Sequence, residues 1–289
     1  MTRRMLLLAS MVVLVLGVSL GCKKQLTAYE IGSNAVAANA KLEAYKSDVD
    51  LTMVMAKTSG PQPHRVNIIG EATTFVDNTV KEAKVSMKVS LSAPGGYKKE
   101  EATIEMYFAG DWLYTKRMAS KTRARWIKMK SPEDTSRWQS QIAQQIDFLK
   151  TASDVSTLGT ENVDGTDYYV LKMTPDKDTI IKMFLAQQQM SGLVDLDLTE
   201  LALARMVKSF SIKEWIAKDT YLLKKSEMDM LLDARGLSSE NATKGSEEVT
   251  IYYNVTARFY DYNQRTPISV PKEALDAPEM PLDKKAMVD

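Results

Sequence analysis

The chain has 289 residues, with 38 Lys+Arg against 37 Asp+Glu, a formal net charge of +1, one cysteine and one histidine. That charge balance leaves no electrostatic footprint for nucleic acid. One cysteine excludes an intrachain disulfide, and one histidine with one cysteine excludes the clustered ligands of a zinc centre.

The first segment is a leader. Arg3 and Arg4 make a positive start, Leu6 to Leu16 is apolar except for Ser10, and small residues follow. This is the plan of a signal peptide, and the run is shorter than the ~20 residues of a spanning helix. It ends "SLGC", with Gly21 directly before Cys22, and resembles the bacterial lipobox, in which that cysteine is acylated after cleavage. Ser19 and Leu20 depart from the commonest lipobox pattern. The alternatives are an ordinary secretory signal with a chance cysteine, or a structural thiol; Lys23 and Lys24 beside Cys22 argue against burial. Residues 1–21 are therefore expected to be a lipoprotein signal peptide, and 22–26 a lipidated cysteine with a short tether. Two or three palmitate-type acyl chains on Cys22 would hold the protein on a membrane outside the cytoplasm, where one chain would not. Loss of Arg3 and Arg4 lowers the basic count from 38 to 36, against 37 acids.

Residues 27–45 read as an alanine-rich helix with Ile31, Ala35, Ala38, Leu42 and Tyr45 on one stripe. The period then changes to two. Val49, Leu51, Met53 and Met55 alternate with Asp50, Thr52 and Val54 in 49–55, Val85, Met87, Val89 and Leu91 with Ser86, Lys88 and Ser90 in 85–91, and Ala102, Ile104, Met106 and Phe108 with Thr103, Glu105 and Tyr107 in 102–108. Each is a strand with one wet face. Further strands are expected at 64–76, 111–119 and 124–130. A helix begins at Ser131, with Pro132 suited to its first turn and Trp138, Ile142, Ile146 and Leu149 as its stripe. Strands 154–163 and 166–174 hinge at "VDGT", and 176–190 reads as a helix with Ile180, Ile181, Phe184 and Leu185 on its apolar side. Residues 191–206 do not declare a period.

The last third is β. Phe210, Ile212 and Ile216 share a face in 207–218; Met228, Met230 and Leu232 oppose Glu227 and Asp229 in 222–232; Ile251, Tyr253 and Val255 lie on the apolar side of 249–259. The polar stretch 235–247 is a hairpin loop. After Asn263, four prolines and several charges suggest a loosely held tail, 266–289.

About eleven strands with two or three helices and no βαβ alternation give an α+β class: a single curved antiparallel half-barrel sheet wrapped around the helices, over 27–265. The chemistry of an enzyme is missing. His64 stands alone in "GPQPHR", no "GxSxG" elbow occurs, and there is no glycine-rich phosphate loop. No cofactor, catalytic residue or metal ligand is expected. The 17 methionines are the distinctive feature, several of them on predicted inward faces. Methionine adapts to irregular apolar partners, so a lipid cup lined by Met53, Met55, Met87, Met106, Ile180, Phe184, Met228, Met230, Ile251, Tyr253 and Val255 is one reading. A filled core of the same residues is the other.

Three stretches add a resemblance: "DWLYTKRMASKTRARWIKM" (111–129), "FSIKEWIAKDTYLLKKSEMDM" (210–230) and "ARFYDYNQRTPISVPKEA" (257–274). They resemble a strand pair ending in tryptophan, a "W-I-D-K-x-T-x-L" hairpin and a closing "D-Y-N … I-x-x-P" of the LolA-like superfamily, in particular lipid-binding lipoproteins of the LppX/LprG type. Ala217 stands where that hairpin commonly has aspartate. The resemblance implies a half-barrel enclosing a hydrophobic ligand cavity and brings no catalytic residues. The expected partners are the membrane, through Cys22, and a lipid or acylated ligand. The rival is a non-catalytic structural or protein-interaction lipoprotein of the cell envelope with a filled core.

Overall fold

The computed structural model describes residues 25–57, 64–93, 99–119, 124–130, 141–181, 200–234 and 249–280. Its first helix, α1 (Ala28–Asn39), starts on a capping box: Glu30 N–H donates to Thr27 Oγ1 at 3.2 Å, and Thr27 N–H donates to a Glu30 carboxylate oxygen at 2.9 Å. It stops six residues short of the predicted end, and the next strand begins at Ala44. The reason is Asn39. Its buried amide donates to Ala35 O at 2.8 Å and Tyr221 O at 3.1 Å, and accepts from Leu223 N–H at 3.2 Å, tying the helix end to a distant turn.

Eleven antiparallel strands follow: β1 (Ala44–Lys57), β2 (His64–Asp77), β3 (Glu82–Ser92), β4 (Glu100–Ala109), β5 (Trp112–Ala119), β6 (Arg125–Lys130), β7 (Ala152–Val163), β8 (Thr166–Pro175), β9 (Val207–Ala217), β10 (Leu223–Asp233) and β11 (Val249–Tyr260). Their order is β6-β5-β4-β3-β2-β1-β11-β10-β9-β8-β7, one unclosed half-barrel sheet. Two meanders run outward from the centre, where the first and last strands pair, Lys46 opposite Tyr260 to Lys57 opposite Val249. Tight turns make the meanders: Asp164 and Gly165 both take positive φ (51° and 80°) in the two-residue loop between β7 and β8, the Asp-Gly type I′ turn.

The chain leaves the sheet at one edge, β6, and re-enters at the other, β7. Helix α2 (Gln141–Thr151) lies in that crossover and packs on one face, from Tyr45 of β1 at its start to β8 and β7. Helix α3 (Glu200–Met206) precedes β9, and a short α4 (Lys272–Leu275) lies near the C-terminus. Residues 177–181 are helical, and the rest of the predicted 176–190 helix lies outside the described residues, as do Trp138, the 235–247 loop, and Cys22 with the whole leader.

The core sits between α1, α2 and the inner face. Ile31 and Ala35 of α1 and Ile142 and Ile146 of α2 pack with Tyr45, Val76, Phe108, Leu171, Ile216 and Phe259. A second cluster joins Phe148, Met173, Ile180, Met206, Phe210, Ile212, Met228 and Met230.

The tail differs from expectation. Ala274 is 0% and Ala277 6% exposed, and with Ile268 and Val270 they cover Tyr107, Tyr114 and Trp126 on the sheet's outer face. Around these three rings the outer face of β4–β6 is thus covered. The tail also pairs with edge strand β6: Lys128 N–H donates to Pro278 O at 3.1 Å, and Met280 N–H to Lys128 O at 2.8 Å. Proline lacks a donor yet keeps its carbonyl, so a proline-rich segment can still satisfy a sheet edge.

Candidate functional site

Period-two register decides which side chains share the inner face. Met53 lies opposite Ile68 and Tyr253, and Met55 opposite Val66 and Ile251. Met87 lies opposite Ala72 and Ile104, and Met106 opposite Val85. Met228 faces Val255 and Ile212, and Met230 faces Tyr253 and Phe210. The nine predicted sheet residues Met53, Met55, Met87, Met106, Met228, Met230, Ile251, Tyr253 and Val255 therefore occupy one side of the sheet, the side carrying α1 and α2.

They do not share one environment. Met230 is 1% exposed and Met228 9%, both packed in the second cluster with Phe148 and Phe210. Ile251, Tyr253 and Val255 pack against that cluster from its rim, and Met106 against the first. Ile180 is buried in the second cluster, and Phe184 lies outside the described residues. Met53, Met55 and Met87 are half-buried, as are Val66, Ile68 and Val89 on the same face. One end of the inner face is thus a packed core. The other, where Met53 and Met55 of β1 meet Val66 and Ile68 of β2 and Met87 and Val89 of β3, is apolar and part-exposed.

One residue escaped the sequence reading. β9 presents Phe210, Ile212, Glu214 and Ile216 to the inner face, since Glu214 lies opposite Leu171 and Ser226. Glu214 is 0% exposed, and neither carboxyl oxygen has a hydrogen-bond partner. Burial pushes its pKa well above the usual carboxylate value, which favours the neutral acid. The signal was present: a period of two through 210, 212 and 216 passes through 214. Other buried polar groups nearby are satisfied. Ser226 Oγ donates to Gln145 Oε1 of α2 at 2.9 Å, and Ile142 N–H donates to Tyr45 Oη at 3.4 Å.

The three motif stretches prove structural. Tyr262 Oη donates to Leu223 O and, at 3.0 Å, to Phe259 O; burial raises its pKa. Asn263 Oδ1 accepts from Glu43 N–H at 2.9 Å, holding the α1–β1 turn. Trp215 Nε1–H donates to Glu161 at 2.8 Å, and Trp126 packs on Tyr107 with ring centres 5.8 Å apart.

Two open grooves lie on the opposite face. One, of about 770 Å³, runs across β1–β5 past Asp48, Asp50, Glu71, Lys88, Lys116 and Arg258. The other, of about 880 Å³, lies between Trp126 and the C-terminal segment around Pro271 and Met280. The charged lining of the first suits water better than acyl chains, so its volume does not make it the lipid site. Among the described residues no three His, Cys, Asp or Glu side chains converge as metal ligands, and no helix is long and apolar enough to cross a membrane.

A family model, described as a family of unknown function (DUF6612), matches residues 27–279. The comparison with curated proteins finds no match. Among solved structures, the chain is similar to the lipoprotein LppX of Mycobacterium tuberculosis, with 13% identity and a TM-score of 0.38 over 84% of this chain and 98% of that one. It is also similar to LprF of Mycobacterium bovis, with 12% identity and a TM-score of 0.42 over 86% and 97%. The unclosed eleven-stranded sheet is read from the strand order.

Proposed function

Because the chain belongs to the DUF6612 family, whose function is unknown, its activity has to be read from its own surfaces, and we propose that it is a membrane-anchored extracytoplasmic lipoprotein whose inner sheet face takes up a lipid or lipidated ligand. Cys22 is the acylation site in this reading, and the role is binding rather than catalysis. The observation that carries it is the part-exposed apolar stretch at Met53, Met55, Val66, Ile68, Met87 and Val89, on the concave side of an unclosed sheet. An acyl chain laid there leaves water at about 25 cal/mol per Å² of apolar surface covered, and methionines conform to a chain of no fixed shape.

The second reading, a filled scaffold used for display or assembly in the envelope, is favoured by the packing of Met228 and Met230 against Phe148 and Phe210. Solvent extraction of the purified protein followed by lipid mass spectrometry separates the two, together with binding of a fluorescent acyl probe. The carrier reading expects co-purified lipid and a probe affinity that falls about tenfold, or about 1.4 kcal/mol, in Met87→Lys. Stability of that variant should change little, because Met87 already touches solvent. Absence of lipid and of probe binding in the wild-type protein would end the carrier reading and leave the scaffold.

A further inference from the structure

Glu214 lies on the inner face beside Ser226, whose hydroxyl donates to Gln145 of α2. On one side of it, Ile142 and Ile146 of α2 share a cluster with Leu171 and Ile216; on the other, Phe148 shares a cluster with Met173, Ile212 and Phe210. Between them Gln145 reaches down to Ser226, the cross-strand neighbour of Glu214. The carboxyl is fully buried, with no hydrogen-bond partner for either oxygen.

As the neutral acid this group is tolerable there. As a carboxylate it is not, because an isolated charge in an apolar layer needs water or a counter-ion. Among the described residues, the titratable groups nearest this layer include Tyr45, Tyr169, Tyr221 and Tyr262 of the first cluster, Lys224 at the irregular start of β10, Asp147 and Lys150 of α2, and Glu30 of α1. None of them pairs with Glu214. Asp147 and Lys150 face outward and pair with each other at 3.4 Å, Lys224 lies over the Tyr262 ring, Glu30 caps α1, and the Tyr45 hydroxyl serves the α2 backbone. Water must therefore come to the carboxylate, and the route is set by the fold. β9 is hydrogen-bonded to β8 and β10 on both sides and cannot part from them cheaply. Helix α2 rests on the sheet through side chains, so it is the element that can lift.

We propose that Glu214 is a proton-controlled latch for α2: the helix seats on the inner face while the carboxyl holds its proton, and ionisation lifts the helix and opens that face. Use of the latch to admit a ligand rests on the carrier reading above; the latch itself does not.

The test is hydrogen–deuterium exchange of residues 141–151 in the purified full-length protein at pH 5 and pH 8, corrected for the intrinsic pH dependence of exchange. Wild-type, Glu214→Gln and Glu214→Leu proteins are compared. The latch predicts that wild-type protection of α2 falls at least about tenfold between the two pH values, while both variants keep the same protection at each. An equal fall in all three proteins, or no fall in wild type, would overturn it. So would failure of both variants to fold, since the latch requires only that position 214 be uncharged. Acyl-probe binding is measured in parallel. A pH-dependent helix in a protein that binds no probe supports the latch and removes the carrier reading, whereas probe binding with unaltered exchange does the reverse.

Discussion

Two carboxyl groups on this sheet respond to pH in opposite directions. Burial pushes the pKa of Asp77 up, but hydrogen bonds from Thr79 Oγ1 at 2.5 Å and from Arg265 Nε at 2.9 Å outweigh it, and the net value lies below the usual range. A lowered acid stabilises the fold above the unfolded-state pKa near 4, and that contribution is lost as pH falls through the native value. Glu214 is the reverse: its native pKa is raised, so the fold is unburdened below about pH 4.5 and loses stability as pH rises, by at most about 1.4 kcal/mol per unit. Arg265→Ala should therefore cost about 1 kcal/mol at pH 7, a charged hydrogen bond discounted for a guanidinium that is half exposed. The same variant should flatten the loss of stability between about pH 5 and pH 3. Urea melts across that range check both, and unchanged acid sensitivity would show that Arg265 does not hold the Asp77 proton off. Residue-level roles such as these were hardly legible beforehand. Arg265 and Asp77 are 188 positions apart, and only the pairing of β1 with both β2 and β11 brings them together.

Strands declared themselves well because a half-buried strand alternates, and a period of two survives even where one face is later covered. Helix ends declared themselves poorly. The stripe through Ile31, Ala35, Leu42 and Tyr45 is real as burial, yet Leu42 and Tyr45 reach the core from a turn and a strand, because Asn39 ends the helix first. The C-terminal segment is the larger difference. Proline and charge suggested looseness, but its small residues Ala274 and Ala277 let the backbone lie flat on Tyr107, Tyr114 and Trp126 while its carbonyls serve β6. A chain truncated after Arg265 should lose at least about 3 kcal/mol, since three large aromatic side chains return to water. It should also associate through the bared edge, raising light scattering at micromolar concentration. A truncated protein that stays monomeric with an unaltered melting temperature would show the tail to be an ornament.

At the scale of the whole molecule, one anchor and one face make the proposed function. Cys22→Ser should shift the protein from the membrane to the soluble fraction, or leave an uncleaved precursor, with acyl labelling abolished; unchanged labelling would remove the lipobox. What the sequence determined by itself is whatever local periodicity and composition can carry: the strand count, the α+β class, and the side of the sheet on which Met53, Met87 and Met230 lie. These follow from alternation along single strands, which needs no knowledge of neighbours. Only the tertiary structure decided that the first and last strands meet at the centre of the sheet, and that the crossover lays α2 on one face of it. It alone made Met230 core and left Met87 part-exposed, although the two look alike in their strands. It alone left Glu214 fully buried. The reason is physical: burial depends on what covers a face, and cover is supplied by segments far away along the chain, through packing that no local pattern encodes.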